Sequence, residues 1–302
     1  MTGAGSATAA YTLEAELGAG PGSDPTWIQP GIDMVVNDLT VQQALERSRH
    51  PDSPLPQGSR PRDFEGGIGL EWTLTDANWH DLVFADGGTA LPTDPMHAPS
   101  SAWYFATQLP DGTTEPRTPT GTIFTDAEAS YTRTSDIRIS LTGLYGFEPD
   151  DITAPADADI QQPSDEDAFS YHGSSLSVNT ISQPLLQSAT LSLTGLARFR
   201  RGQSRHPYDA VTGAIEPSLS LQSTFTERDQ LELARADGAP IETIEKTDAV
   251  FAFENAAGET IEYTVSDLQP TTYSWQDLVT ADSDLNESID FHATNIEVTQ
   301  TP

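Results

Sequence analysis

A chain of 302 residues has room for one large domain or two ordinary ones, each with its own core. Its 46 acidic against 14 basic residues give a formal charge of -32, which argues against binding nucleic acid by charge neutralisation, while 36% hydrophobic content excludes a disordered acidic chain. Without cysteine there is neither a disulfide framework nor a thiolate metal site.

The opening residues Met1-Thr2-Gly3-Ala4-Gly5 carry no charged region and no apolar run, so no classical secretory signal is expected. No stretch approaches the apolar length of a membrane helix. Residues 32–37 read as a strand, whereas residues 39–47 fit either a helix or more strand. A long arginine-bearing connection, residues 47–62, leads into Ile68-Gly69-Leu70-Glu71-Trp72-Thr73-Leu74, whose alternation predicts a strand with one buried face. Residues 75–84 begin with cap residues and stop at Asp86-Gly87, which predicts about two helical turns. Ile137-Arg138-Ile139-Ser140-Leu141 alternates again. Residues 149–173, rich in Pro and Asp, read as an extended acidic linker. Beyond it, Ala189 to Leu193 and Leu219 to Phe225 alternate on either side of a second arginine-bearing connection, residues 198–208. Residues 249–253 and 260–265 predict a hairpin around a turn at 255–258.

These elements repeat. With residues 64–87 above residues 215–238, eight of 24 positions are identical, among them Glu65/Glu216, Leu70/Leu221, Thr73/Thr224, Leu82/Leu233 and the closing Ala-Asp-Gly. Arg49-His50-Pro51 answers to Arg205-His206-Pro207 upstream, with a longer loop in the first copy. Downstream, Trp103-Tyr104-Phe105 is set against Val250-Phe251-Ala252, and Ile137-Arg138-Ile139 against Ile289-Asp290-Phe291. The expected organisation is a first copy at 1–148, the linker at 149–173 and a second copy at 174–302.

Lys246 is the one lysine; every other basic residue is arginine. Such self-repulsion destabilises a compact state in dilute buffer and is screened in molar salt, where the Debye length is about 3 Å. Dense carboxylates with almost no lysine point to a halophilic setting.

No catalytic constellation emerges. Gly18-Ala19-Gly20-Pro21-Gly22 is a flexible turn, and phosphate-loop, nucleophile-elbow and dinucleotide patterns are missing from the sequence. The six histidines lie at no metal-ligand spacing; His80, beside Asp81, reads as a surface helix end. Carboxylate groups at Asp63/Glu65, Asp150/Asp151 and Asp165-Glu166-Asp167 read as solvated surface. The expectation is a protein without enzyme activity and without a cofactor or metal. Most of the basic residues cluster in the two connections: Arg47, Arg49, His50, Arg60 and Arg62 in the first, Arg198, Arg200, Arg201, Arg205 and His206 in the second. Each Arg-His-Pro turn fits either a loop held by local hydrogen bonds or an interface loop pairing with a neighbour's carboxylates.

The order of elements resembles the tail tube (major tail) proteins of long-tailed viruses of bacteria and archaea. It is carried by Ser188-Ala189-Thr190-Leu191-Ser192-Leu193-Thr194-Gly195, the 198–207 loop, Gly213 to Leu221 and the helical turn ending at Asp237-Gly238, with the 32–37 strand, long loop and 64–74 strand as their first-copy counterparts. The resemblance implies a mainly β fold of two tandem tail-tube-like sandwich or barrel domains, each with one short helix and a long hairpin or loop. It implies a virion tail protein, from a haloarchaeal siphovirus given the composition, assembled in the host cytoplasm. Three duplicated chains would form each pseudo-hexameric ring, and rings would stack through the arginine loops. Tape-measure, terminator and distal tail proteins would be partners, viral DNA would pass through the lumen without specific binding, and no membrane would be involved. A duplicated β-sandwich capsid or decoration protein, or a halophilic surface or carbohydrate-binding module, are the other readings of the same β-rich pattern.

Overall fold

The computed structural model describes residues 7–49, 51–52, 54–55, 58–235, 246–278 and 284–301. Alternation sets its strands: in Glu216–Thr224 every second residue is buried, Leu219 and Leu221 facing one way and Ser220 and Gln222 the other. The fold is mainly β, as the alternation predicts. The first half comprises β1 (Ala7–Leu13), β2 (Trp27–Ile28), β3 (Ile32–Ser48), β4 (Gly58–Thr73), β5 (Ser101–Gln108), β6 (Thr114–Arg117), β7 (Thr120–Thr132) and β8 (Arg138–Phe147). The short β9 (Ile160–Gln161) lies in the connecting segment. Then come β10 (Ser174–Val178), β11 (Ile181–Ser182), β12 (Leu186–Thr194), β13 (Ala197–Arg200), β14 (Asp209–Thr212), β15 (Glu216–Thr224), helix α1 (Asp229–Arg235), β16 (Thr247–Glu254), β17 (Thr260–Gln276), β18 (Asn286–His292) and β19 (Asn295–Thr301).

The two halves share one pairing scheme. In the first, β3 pairs β4, β4 pairs β8 and β8 pairs β7. In the second, β12 pairs β15, β15 pairs β18 and β18 pairs the distal part of β17. A second layer covers each four-strand unit, β1 with β5 in one half and β10 with β16 in the other. Aromatic residues fill the space between layers; Trp103 of β5, for example, meets Phe124 of β7 edge-on at 6.0 Å. The strand β17 serves both layers because it bends at Asp267 (φ 58), where the backbone N–H donates to Asp248 Oδ1 at 3.0 Å. Before the bend it pairs with β16 and β19, after it with β18.

Residues 39–47, open between helix and strand by sequence, are strand: β3 and β4 form one long ribbon out to the Ser48–Gly58 pair. The expected two-turn helix at 75–84 is a single 3-10 turn, Asn78–Leu82. The Ala-Asp-Gly at 236–238 lies outside the described residues. Ladder registers also correct two alignments between the halves. Leu70 faces Leu141 and Leu221 faces Ile289, so Ile289 answers to Leu141 rather than to Ile137. Trp103 and Phe105 share the core face with Phe251 and Phe253 while Tyr104 points away, which moves that match by one residue. Period-2 patterns tolerate such slips, and only pairing partners fix them.

The segment at 149–173 is anchored rather than extended in solvent. Its β9 pairs in parallel with β2, and Phe169, 1% exposed, exchanges backbone hydrogen bonds with Leu74 and Ile137 at 2.9 Å. One buried aromatic outweighs the acidic, Pro-rich composition that suggested a free linker. Phe169→Ala is therefore expected to cost about 3–5 kcal/mol in denaturant unfolding, where a loose linker residue would cost almost nothing.

Candidate assembly interface

The halves join through backbone. Strand β7 pairs antiparallel with β12 from Asp126↔Thr194 to Thr132↔Ser188, making one continuous sheet in the order β3-β4-β8-β7-β12-β15-β18-β17. On its core face this joint covers Ala189, Leu191 and Leu193 of β12, all 3% exposed or less. The 3-10 turn of the first half reaches across the same joint. His80, predicted at the surface, is fully buried against the second half. The Gln300 amide donates to its Nδ1 at 3.0 Å, so Nε2 carries the proton and donates to the Tyr263 hydroxyl at 2.7 Å. Val298 N–H donates to the Thr89 carbonyl beside it. Burial pushes the imidazole pKa down to about 3, so it stays neutral. The signal in the sequence was the apolar frame around it, Trp79, Leu82, Val83 and Phe84, all buried here.

The ends of the sheet lack what the joint supplies. Among the described residues β3 pairs with β4 alone, and the distal part of β17 with β18 alone. By the β4/β15 repeat, Val36, Leu39 and Val41 of β3 answer to Ala189, Leu191 and Leu193 of β12. Val36 is 40% and Val41 46% exposed, and Leu39 is half-buried. With Met34, Ala9 and Phe105, Val36 and Leu39 line an open groove of 490 Å³. At the other end Trp275 and Leu278 are exposed.

Inside the second half the repeat has diverged. Trp72, Trp79 and Ile139 of the first half, with the two indoles edge-on at 6.4 Å, become Ser223, Gln230 and Glu287. These form a polar network: Gln230 Nε2 donates to Ser223 Oγ (3.3 Å), Ser223 Oγ to Glu287 Oε1 (3.3 Å), and the Tyr273 hydroxyl to Glu287 Oε2 (2.7 Å). Burial raises the Glu287 carboxyl pKa.

The face of the sheet opposite the core is polar and acidic. Across the joint it carries Asp126, Glu128, Ser130 and Thr132 on β7 beside Ser188, Thr190, Ser192 and Thr194 on β12, then Ser218, Ser220 and Asp290. Arg138 on this face is paired to Glu71 at 2.9 Å.

The predicted arginine residues divide into two groups. On the β3–β4 ribbon, Arg47, Arg49 and Arg60 are exposed, and Arg62 pairs with Glu46 at 2.5 Å; His50 lies outside the described residues. In the second connection, Arg201 pairs with Glu65 of the same chain and donates to the Phe64 carbonyl at 3.1 Å. Arg205 Nε donates to the Arg62 carbonyl at 3.1 Å, and the His206 ring stacks on Phe147. Arg200 lies 3.8 Å from Asp209, and Arg198 is exposed. Asp63 and Glu65, read as solvated carboxylates, thus receive Arg201. Among the described residues no group of His, Asp and Glu is arranged to hold a metal ion, and no helix is long and apolar enough to cross a membrane.

No protein-family model and no curated protein matches the chain. Among solved structures, the PVC sheath–tube complex of an extracellular contractile injection system, in its extended state, is similar at 15% identity over 43% of this chain and 90% of that one, with a TM-score of 0.34. The tube-terminating cap of the anti-feeding prophage is similar at 15% identity over 50% of this chain and 97% of that one, with a TM-score of 0.35.

Leu191→Ala is expected to cost about 2–5 kcal/mol, whereas Leu39→Ala, at the matching open position, should cost no more than about 1 kcal/mol in the isolated chain by denaturant unfolding. His80 also makes the joint sensitive to pH. Its folded pKa lies below the unfolded value of 6.5, so the stability it contributes is full above pH 6.5 and is lost as pH falls toward 3. The stability advantage of wild type over His80→Gln should shrink by up to roughly 1.4 kcal/mol per pH unit across that window.

Proposed function

We propose that this chain is a structural subunit of a virion tail tube, with residues 1–148 and 174–302 as two tube domains joined by 149–173. The observation that carries this reading is the run of eight paired strands, in which two units of like connectivity follow in series and each end, among the described residues, is an unpaired edge. A monomer that keeps long strand edges open invites further sheet pairing, and closure of the sheet into a ring removes both edges. Three chains would supply the six units of a pseudo-sixfold ring.

The acidic, hydroxyl-rich face suits a lumen. Its carboxylates repel a phosphate backbone, and its single central arginine is neutralised by Glu71, so DNA would slide rather than bind. In this reading the protein is not an enzyme, and it meets tape-measure, terminator and distal tail proteins at the ends of the tube. The near-absence of lysine supports a haloarchaeal siphovirus, in which molar salt screens repulsion between subunits. The exposed Arg47, Arg49, Arg60 and Arg198 are the residues best placed to reach a neighbouring ring, because Arg201 and Arg205 are engaged within the chain.

Electron micrographs of the purified protein in molar potassium chloride should show hollow rings or stacked tubes, with three chains per ring on symmetry averaging. Discrete monomers that bind polysaccharide would refute the tube, and six chains per ring would refute the stoichiometry. Reversing Arg47, Arg49 and Arg60 to Glu should leave rings intact and shorten tubes; tubes of unchanged length would remove these side chains from the contact between rings.

A further inference from the structure

Each surface buried in the internal joint has an uncovered counterpart at the far end of the sheet. On the receiving side, Leu191 and Leu193 are covered by β7, while the matching Leu39 lines the open groove and Val41 is exposed. On the inserting side, His80 is buried against Tyr263 and Gln300 of the second half with Leu82 and Val83 buried beside it, while the matching Leu231, Leu233 and Ala234 of α1 are half-buried and Arg235 is exposed where Phe84 is buried. His80 enters a site that offers it a Tyr263 hydroxyl and a Gln300 amide; Leu231 stands in its place on α1, and the open groove has an apolar side of Ala9, Met34, Val36, Leu39 and Phe105, rimmed by Glu115, Arg117 and Asp157.

We infer that a second copy of this chain docks head-to-tail on the β3 edge, its distal β17 continuing the sheet and its Leu231 entering the 490 Å³ groove. This rests on the ring reading above and specifies its joint between chains. The internal ladder fixes the register. Leu191↔Ala129 and Ser192↔Glu128 in the chain translate to Leu39↔Trp275 and Thr40↔Ser274 between chains. Trp275 and Val41, both exposed in the single chain, are buried by that pairing. The contact uses two different surfaces, so it closes only if the rotation per chain divides a full turn, and otherwise runs on as a filament.

The chain has no cysteine, so single thiols report this joint without background. Thr40 and Ser274 are both exposed and sit on opposite edge strands, seven strand spacings of about 4.8 Å apart along the sheet. Thr40→Cys and Ser274→Cys chains, prepared separately and mixed in molar potassium chloride with a short bis-maleimide, should give a two-chain product that neither variant gives alone. Products from Thr40→Cys alone or Ser274→Cys alone would indicate like-with-like pairing and overturn the proposal. Leu231→Asp and Val36→Asp, each on a partly exposed side chain, should lower the assembled fraction by about tenfold or more without changing the melting temperature of the monomer. Unchanged assembly in both would overturn the joint. Hollow rings without the mixed cross-link would overturn the joint and leave the tube intact. The mixed cross-link in open filaments without a bore would keep the joint and overturn the tube. Monomers without cross-link in molar salt would overturn both.

Discussion

An unpaired strand edge is a row of backbone donors and acceptors that must be satisfied by water or by another strand, and here the β7–β12 ladder satisfies the innermost pair of edges. The rest of the arrangement depends on it. It sets the side-chain register that buries Leu191 and Leu193, holds the two core layers of the halves in line, and brings the 3-10 turn of the first half against Tyr263 and Gln300 of the second. It also decides what remains open, since a sheet extended by pairing carries its unsatisfied edges to the two ends. The outer strands bear Val36, Val41 and Trp275 and are also irregular: the β3–β4 ladder slips between Val36 and Asp38 and between Gln43 and Leu45, and β17 carries Pro270 beside a slip of its own.

Much of this was legible in the residues. Strict alternation in β4 and β15 gave their core faces, and the match of Leu70 with Leu221 and Thr73 with Thr224 located equivalent strands before any pairing was known. The misses share a cause, which is that single-chain patterns do not record partners. Residues 39–47 hold Leu and Gln suited to a helix, and become strand because β4 runs beside them. Phe169 was one aromatic in an acidic, Pro-rich stretch, and its carbonyl and N–H tie that stretch to Ile137 and Leu74. His80 looked like a helix end because its two partners lie roughly two hundred residues away in sequence, beyond the reach of any local pattern. Of the candidate arginine residues, the sequence located the clusters but not their separation into those that brace the chain and those that stay exposed.

The two halves have kept their connectivity and exchanged their interiors. Replacing Trp72, Trp79 and Ile139 with Ser223, Gln230 and Glu287 trades aromatic packing for a buried hydrogen-bond network. Removing one member of such a network leaves its buried partners unsatisfied, which makes this part of the second half less tolerant of single substitutions. The acidic surface acts at longer range, as a self-repulsion that is strong in dilute solution and screened when salt is high.

The position of Gln300 against His80 has a consequence for the order of synthesis. The 3-10 turn carrying Trp79, His80, Leu82 and Phe84 is translated well before β17 and β19, which bring Tyr263 and Gln300 to it. Until those strands emerge, the imidazole of the nascent first half lacks both of its hydrogen-bond partners. A chain interrupted before β19 would lack the Gln300 amide and leave Nδ1 of His80 without the partner that fixes its tautomer.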